Sequence, residues 1–351
     1  MAYTTIDDPS AYFQIATYTG TGSSQSITND GNSDMQPDWV WWKSRGAAQD
    51  HQLYDVVRGV TKAIETNKTT AEYTQANGLT SFNSDGFTVG GGTAGNADGD
   101  TFVAWQWKTG TAFSNDQSST SVGSLDSSGS TSTTAGFSIV KIDSMPANTT
   151  STFAHNLGVK PDFIIFKSRN LTTNWDVYHS SALPDGERKL YLNGTDAVID
   201  SGFMTDTPPT SSVVSFNPGS NDSNHIAYCF AEKQGYSKFG SYVGTGNDDG
   251  TFVYTGFKPA FLILKLSSAA NENWALYDNK RNTFNSATSQ RLRANTTAAE
   301  GASGSEVDLL SNGFKVHGND AEINSSGATY VYMAFAENPF VTSTGVPATA
   351  R

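Results

Sequence analysis

The chain has 351 residues, 36% of them hydrophobic and 12% aromatic, which excludes a wholly disordered protein and leaves room for two or three domains. A formal net charge of -12 at pH 7 removes the basic face that binding to nucleic acid or an anionic membrane requires. With 16% charged residues, 33 glycines and abundant Ser, Thr and Asn, the composition is that of an all-β protein with many short strands and polar turns.

The first residues, Met1-Ala2-Tyr3-Thr4, lack the charged-then-apolar pattern of a leader, and no apolar run approaches the roughly 18 residues of a membrane helix. The chain is therefore expected to work without a signal peptide or membrane anchor. Tyr18-Thr19-Gly20-Thr21-Gly22 predicts a strand end running into a glycine turn, and Tyr242-Val243-Gly244-Thr245-Gly246 predicts another. Pro37-Asp38-Trp39-Val40-Trp41-Trp42-Lys43 has close parallels at Pro161 to Lys167 and Pro259 to Lys265. Each run is too short for a helix and rich in aromatic and β-branched residues, so each predicts a strand buried on both faces. Proline is expected at its first residue and lysine at its rim, with the lysine stem covering apolar surface.

A short strand with a central tyrosine follows 17, 17 and 18 positions after these prolines, at Tyr54, Tyr178 and Tyr277. The next residue is Asp55, His179 or Asp278, a polar group expected at the rim to cap a turn. Alternating aromatic strands then close each unit at Phe102 to Trp107, Ile226 to Phe230 and Tyr330 to Phe335. Asp85-Gly86-Phe87 and Asn312-Gly313-Phe314 mark hairpin turns before two of them, and Val213-Val214-Ser215-Phe216 holds the diverged middle position.

These recurrences predict three tandem antiparallel β-sandwich units, jelly-roll-like, over residues 1–108, 136–234 and 235–351. Propeller blades run to only about 40 to 50 residues, and three would be too few. The Ser/Thr/Gly-rich residues 109–135 read as a flexible linker, which would leave the first unit mobile against a rigidly paired second and third.

Chemistry is sparse. His51, His155, His179, His225 and His317 share no metal-ligand spacing, and no nucleophile elbow, P-loop or dinucleotide fingerprint occurs. Cys229 lies in an apolar run and reads as a small buried hydrophobe. Oxygen donors at Asn96, Asp98 and Asp100, and at Asn247 to Asp249, raise calcium as a ligand, but the sets are incomplete and plain turns are the preferred reading. Trp175 and Trp274 each precede the tyrosine by three positions, which points to packing rather than to a sugar platform.

The order Y-T-G-T-G (18–22), P-D-W-V-W-W-K-S-R (37–45), L-Y-D-V-V-R-G (53–59), S-D-G-F (84–87) and A-T-Y-V-Y-M-A-F-A-E-N-P-F (328–340) resembles a module of virion structural proteins of marine tailed bacteriophages, cyanophages included. The resemblance implies a decoration or tail-fibre-like virion component with no catalytic residues to transfer. No sustained heptads are present, so a compact exterior subunit of the capsid or tail is favoured over a long fibre. Partners are then other virion proteins, a host-surface glycan, and further copies of the chain, a trimer among the arrangements. A polysaccharide depolymerase is the enzymatic alternative. Recognition is expected in the loops that differ between units, at Asn170, Thr172, Asn174, Asn271 and Asn273.

Overall fold

In the strand Trp39–Ser44 every residue is buried, and neighbouring side chains enter different cores. Trp39 and Trp41 join a cluster with Trp105 and Trp107, whereas Val40 and Trp42 join one with Leu79 and Phe87. The same alternation sends Phe163 and Ile165 one way and Ile164 and Phe166 the other, as it does for Phe261 and Ile263 against Leu262 and Leu264. Two covered faces are the reason these runs carry no polar alternation. The computed structural model describes residues 3–349 apart from 203, 220–222, 283, 284, 286, 287 and 305. Among them no helix is long and apolar enough to cross a membrane.

Three principal antiparallel sheets contain these strands. The first has the order Phe13–Thr19, Thr101–Trp107, Trp39–Ser44, Gln52–Asp55. The second runs Phe137–Met145, Ser223–Phe230, Phe163–Ser168, Asp176–His179, and the third runs Ser237–Val243, Thr329–Pro339, Phe257–Leu266, Trp274–Asp278; both continue with additional strands. A small sheet covers the outer face of each: Gln25–Ile27 with Phe87–Val89 and Leu79–Phe82, then Ser151–Ala154 with Val213–Phe216, then Phe252–Tyr254 with Gly313–Val316 and Val307–Leu310. Val213–Phe216 thus takes the place expected of the diverged middle strand. The glycine turns lock these layers, for a Cβ on Gly20 would lie 2.0 Å from the Ala97 carbonyl oxygen and one on Gly244 2.3 Å from that of Ser325.

The inner faces of the principal sheets meet in one core. Trp39, Trp107, Phe137, Phe230, Phe261 and Phe335 belong to a single cluster fed by all three sheets, and Trp39 lies 4.9 Å from Tyr228 and 5.6 Å from Phe137 between ring centroids. This corrects the expectation of a mobile first unit: its inner face is half of a packed aromatic contact.

The linker expected at 109–135 is corrected as well. Thr111–Asn115 and Ser127–Ser132 pair with each other and then with Phe137–Met145, extending the second sheet at its edge. The backbone supplies the ladder bonds of an edge strand, so a serine-rich segment with few large apolar groups can form one; Phe113 and Leu125 give it the packing it needs. Proline departs from expectation in a third way. The first two strands begin two residues after it, and Pro259 lies inside the third at a register shift, where its missing N–H is tolerated.

Candidate functional site

The seams between the sheets gather the polar side chains that the core does not accept. The residue three before each central tyrosine reaches from one sheet to the next. Trp175 donates its indole N–H to the carbonyls of Glu65 at 2.9 Å and Lys68 at 3.1 Å, and Trp274 donates to that of Tyr191 at 2.8 Å. His51 replaces tryptophan in the first sheet and donates Nε2–H to the Arg293 carbonyl at 2.9 Å. Second grips first, third grips second and first grips third, so one heterologous contact closes into a ring.

The residue after each tyrosine forms a second tier. Asp55 accepts the Tyr228 hydroxyl at 2.8 Å, and Asp278 accepts the Trp105 indole N–H at 2.9 Å. Each carboxylate also holds an arginine three residues on, Arg58 at 2.5 Å and Arg281 at 2.6 Å, with all four side chains 0% exposed. At the seam between the second and third sheets the corresponding residues are His179, Ala182 and Met333. Methionine has no proton to donate, and His179 instead donates Nε2–H to the Tyr332 carbonyl at 3.0 Å. Acceptor, cation and donor are thus exchanged together for a neutral set. The expected turn cap is present, since Asp55 accepts the Arg58 N–H at 2.8 Å and His179 Nδ1 accepts that of Ser181 at 3.2 Å, but these residues lie inside the protein rather than at a rim.

A third tier repeats the pattern. Glu72 N–H donates to the Arg169 carbonyl, Glu300 N–H to that of Arg45, and Val198 N–H to that of Ser267, at 2.9, 2.8 and 3.0 Å. The first two seams add ion pairs, Arg169–Glu72 at 3.3 Å and Arg45–Glu300 at 2.8 Å, and the third has Ser267 and Val198 in their place. Among the described residues, the second and third tiers are charged at two seams and neutral at the seam between the second and third sheets.

The lysines that end the repeated strands are another correction. Lys43, Lys167 and Lys265 are buried, and burial pulls each ammonium down to about 8. Their Nζ atoms cap carbonyls at and beyond the strand ends, Ser44 at 2.7 Å, Thr173 at 3.0 Å and Glu272 at 2.6 Å, and the last two also reach Thr69 and Thr195 across seams. A row of unpaired carbonyls justifies a cation at the strand end, which side-chain type alone cannot distinguish from an exposed lysine.

Of the five residues expected to recognise a ligand, Asn271 bonds across a seam, and Asn174 and Asn273 support residues that do. Asn174 Oδ1 accepts from Asn193 at 2.9 Å, and Asn193 in turn accepts the Trp175 N–H at 2.8 Å. Asn273, Asn295 and Trp274 repeat this at 2.9 and 3.1 Å, as do Asp50, Asn67 and His51 at 2.7 and 2.9 Å. Asn174 and Asn273 therefore hold the gripping residue in place. Asn170 Oδ1 accepts the Asn224 N–H at 2.8 Å, Asn271 takes a positive φ of 75° and donates its N–H to Thr195, and Thr172 is exposed. Asn174→Ala is expected to cost about 1 kcal/mol, the ordinary worth of a hydrogen bond, read as a lower urea midpoint at unchanged slope. An unshifted midpoint would show that Asn174 does not hold the gripping residue in place.

The remaining titratable groups that sequence singled out are largely buried. Burial pushes the imidazoles of His155 and His179 down to about 4 and that of His225 to about 3, and burial, with the Lys43 charge, also holds His51 well below the ordinary value. Burial raises the Cys229 thiol, which is no nucleophile at neutral pH. In the expected oxygen-rich turn, the Asn96 carboxamide is buried and spent on Thr21 N–H at 2.9 Å and Gly90 carbonyl at 2.9 Å, which removes the first calcium donor. Glu272, Asp320 and Glu322 approach within 4.8 Å of one another, but Arg291 reaches Asp320 at 2.9 Å and Arg293 reaches Glu322 at 2.9 Å, so arginines balance the carboxylates.

Fold and seams define the class: an all-β protein of antiparallel sheets closed on a common core. The chain belongs to the family described as a domain of unknown function (DUF7483), whose model matches residues 8–339 as a single span across all three sheets. No curated protein and no solved structure matches it.

Proposed function

We propose that the chain is a non-enzymatic structural subunit on the exterior of a tailed-phage particle, a capsid decoration, surface-fibre or short tail-appendage protein, and that its three principal sheets are related copies of one unit. The cyclic seam carries this reading: Trp175, Trp274 and His51 make one contact three times in one sense. Three similar sandwiches closed about a shared axis give a rigid block with three similar outer faces, which suits a site of threefold symmetry. The chain then contains within itself the closure that a homotrimer would otherwise supply. Its histidines, thiol and strand-end lysines serve hydrogen bonding and packing, the expected use of such groups in a scaffold. Weak adhesion to a host surface gains avidity from many copies on one particle.

Antibody raised against the recombinant chain should decorate intact particles in negative-stain electron microscopy, and mass spectrometry of purified particles should contain its peptides. Undecorated particles that also lack those peptides would overturn the proposal.

A further inference from the structure

Between the first and third sheets lies a cleft of about 340 Å³, at the small end of the range for small-molecule sites, about 300 Å³ upward. Its origin is visible in the chain's own repeats. The residue after the proline of each repeated run is Asp38, Asp162 or Ala260, and in all three its carbonyl accepts the N–H of the residue after the Asp/His/Asp tier, from Val56 at 2.9 Å, Ser180 at 2.8 Å and Asn279 at 2.8 Å. Asp38 turns its carboxylate to the Thr109 N–H at 2.8 Å and Asp162 to the Glu232 N–H at 2.9 Å. Ala260 has no such group, and it lines the cleft.

Phe13, Ile15, Ala260 and Ala336 supply its apolar lining. Asp8, Asp30, Asn32, Lys280, Glu337 and Asn338 supply the polar one. Lys280 Nζ donates to both Asp30 oxygens, at 2.8 and 2.7 Å, joining the third sheet's side of the cleft to the first's. We infer that this cleft is a binding site for one neutral or amino-bearing pyranose unit of a glycan. Sugar hydroxyls donate and accept at once, matching carboxylates, carboxamides and an ammonium set around a small apolar surface, and the C–H face of the ring covers that surface. Asp30 and Lys280 pair with each other, Glu337 with Asn279 at 2.8 Å and Lys258 at 3.2 Å, and Asp8 with Ser10 and Ser33, so sugar hydroxyls bond to their remaining lone pairs and to the exposed Asn32 and Asn338. Three carboxylates stand against Lys280 and the Lys258 ammonium that reaches Glu337 at 3.2 Å, a net negative balance that disfavours an anionic sugar. The inference is independent of the protein's place in a particle.

Saturation-transfer difference NMR and calorimetry with methyl glucoside, N-acetylglucosamine, glucosamine and glucuronate test it. At least one neutral or amino sugar should bind, and glucuronate should bind at least tenfold more weakly. Ala260→Asp restores the residue of the other two runs into the space and should weaken binding at least tenfold. Asn32→Ala with Asn338→Ala, both exposed, should weaken binding without moving the unfolding midpoint, so the test survives if Ala260→Asp misfolds. Absence of binding by all four sugars, glucuronate binding as tightly as the others, or undiminished binding by the folded variants would each overturn the inference.

Discussion

Acidification from pH 6.5 to pH 4 is expected to remove on the order of 10 kcal/mol of unfolding free energy, enough to unfold the protein at 25 °C given ordinary stabilities of about 5–15 kcal/mol. The cause is four buried neutral histidines. In His51, His155 and His179 the Nε2–H donates to a carbonyl while Nδ1 accepts, from the Trp41 indole, the Leu157 N–H and the Ser181 N–H respectively. A second proton on Nδ1 would face another N–H, so protonation breaks a bond as well as placing a charge in the core. The folded pKa values lie below the unfolded value of about 6.5; the stability is therefore complete above that pH and lost as pH falls toward the folded values.

Each histidine contributes a slope of about 1.4 kcal/mol per pH unit, and four contribute up to about 5. Asp176 and Glu272, whose carboxyls are raised chiefly by burial, act in the opposite sense and moderate the total. Urea unfolding at half-unit pH steps checks the expectation. His179→Gln, whose amide can donate to the same carbonyl, should reduce the slope by about one histidine's share. A flat profile from pH 4 to 6.5 would contradict the buried neutral histidines.

Asp278→Ala is expected to destabilise by about 3–5 kcal/mol, the cost of removing one partner of a buried ion pair. It leaves the buried Arg281 with Glu300, at 3.1 Å, as its remaining ion-pair partner and the Trp105 indole N–H without its acceptor across the seam. The second-to-third seam shows the neutral alternative, His179, Ala182 and Met333. Transplanting that set as Asp278→His, Arg281→Ala and Trp105→Met removes the ion pair and the indole donor together, though it also opens space where the fully buried Trp105 stood, so its cost should fall short of the sum of the three single substitutions. Denaturant midpoints of the three single variants and the triple variant decide it; a triple variant costing the full sum would show that the three residues do not act as one contact.

The strands were legible because hydrophobic pattern and spacing are local. Runs such as Phe163 to Phe166, apolar at every position, announce two covered faces, though not that one of those faces belongs to a core shared with two other sheets. That sharing depends on how the sheets pack, which no local pattern encodes. Residues 109–135 misled because a serine-rich edge strand and a flexible linker have the same composition, and only the partner Phe137–Met145 separates them. Lys43, Lys167 and Lys265 misled because an ammonium that caps carbonyls and one that faces water look alike in sequence.

The seam residues carried a readable signal that spacing alone left unused. Asp55 with Arg58 and Asp278 with Arg281 repeat as D-x-x-R directly after the central tyrosine, and His179 with Ala182 departs at both positions together. Paired departure is what a coupled contact produces. The asparagines at 174 and 273 were expected in loops that recognise a ligand; the structure adds that each has a counterpart two strands on, Asn193 and Asn295, whose bond to it exists only in the folded sheet. The cleft beside Ala260 gave no signal in its own segment; its cue was the aspartate at the same place in the other two runs.

That all three sheets form one cooperative body is tested most directly by equilibrium urea unfolding followed at once by tryptophan fluorescence and far-ultraviolet circular dichroism. Five of the seven tryptophans, Trp39, Trp41, Trp42, Trp105 and Trp107, lie in the first sheet, so fluorescence reports mainly on it while dichroism reports on all three. A shared core predicts one transition with coincident midpoints for both probes. Separate midpoints, with the first sheet unfolding while the other two persist, would contradict it.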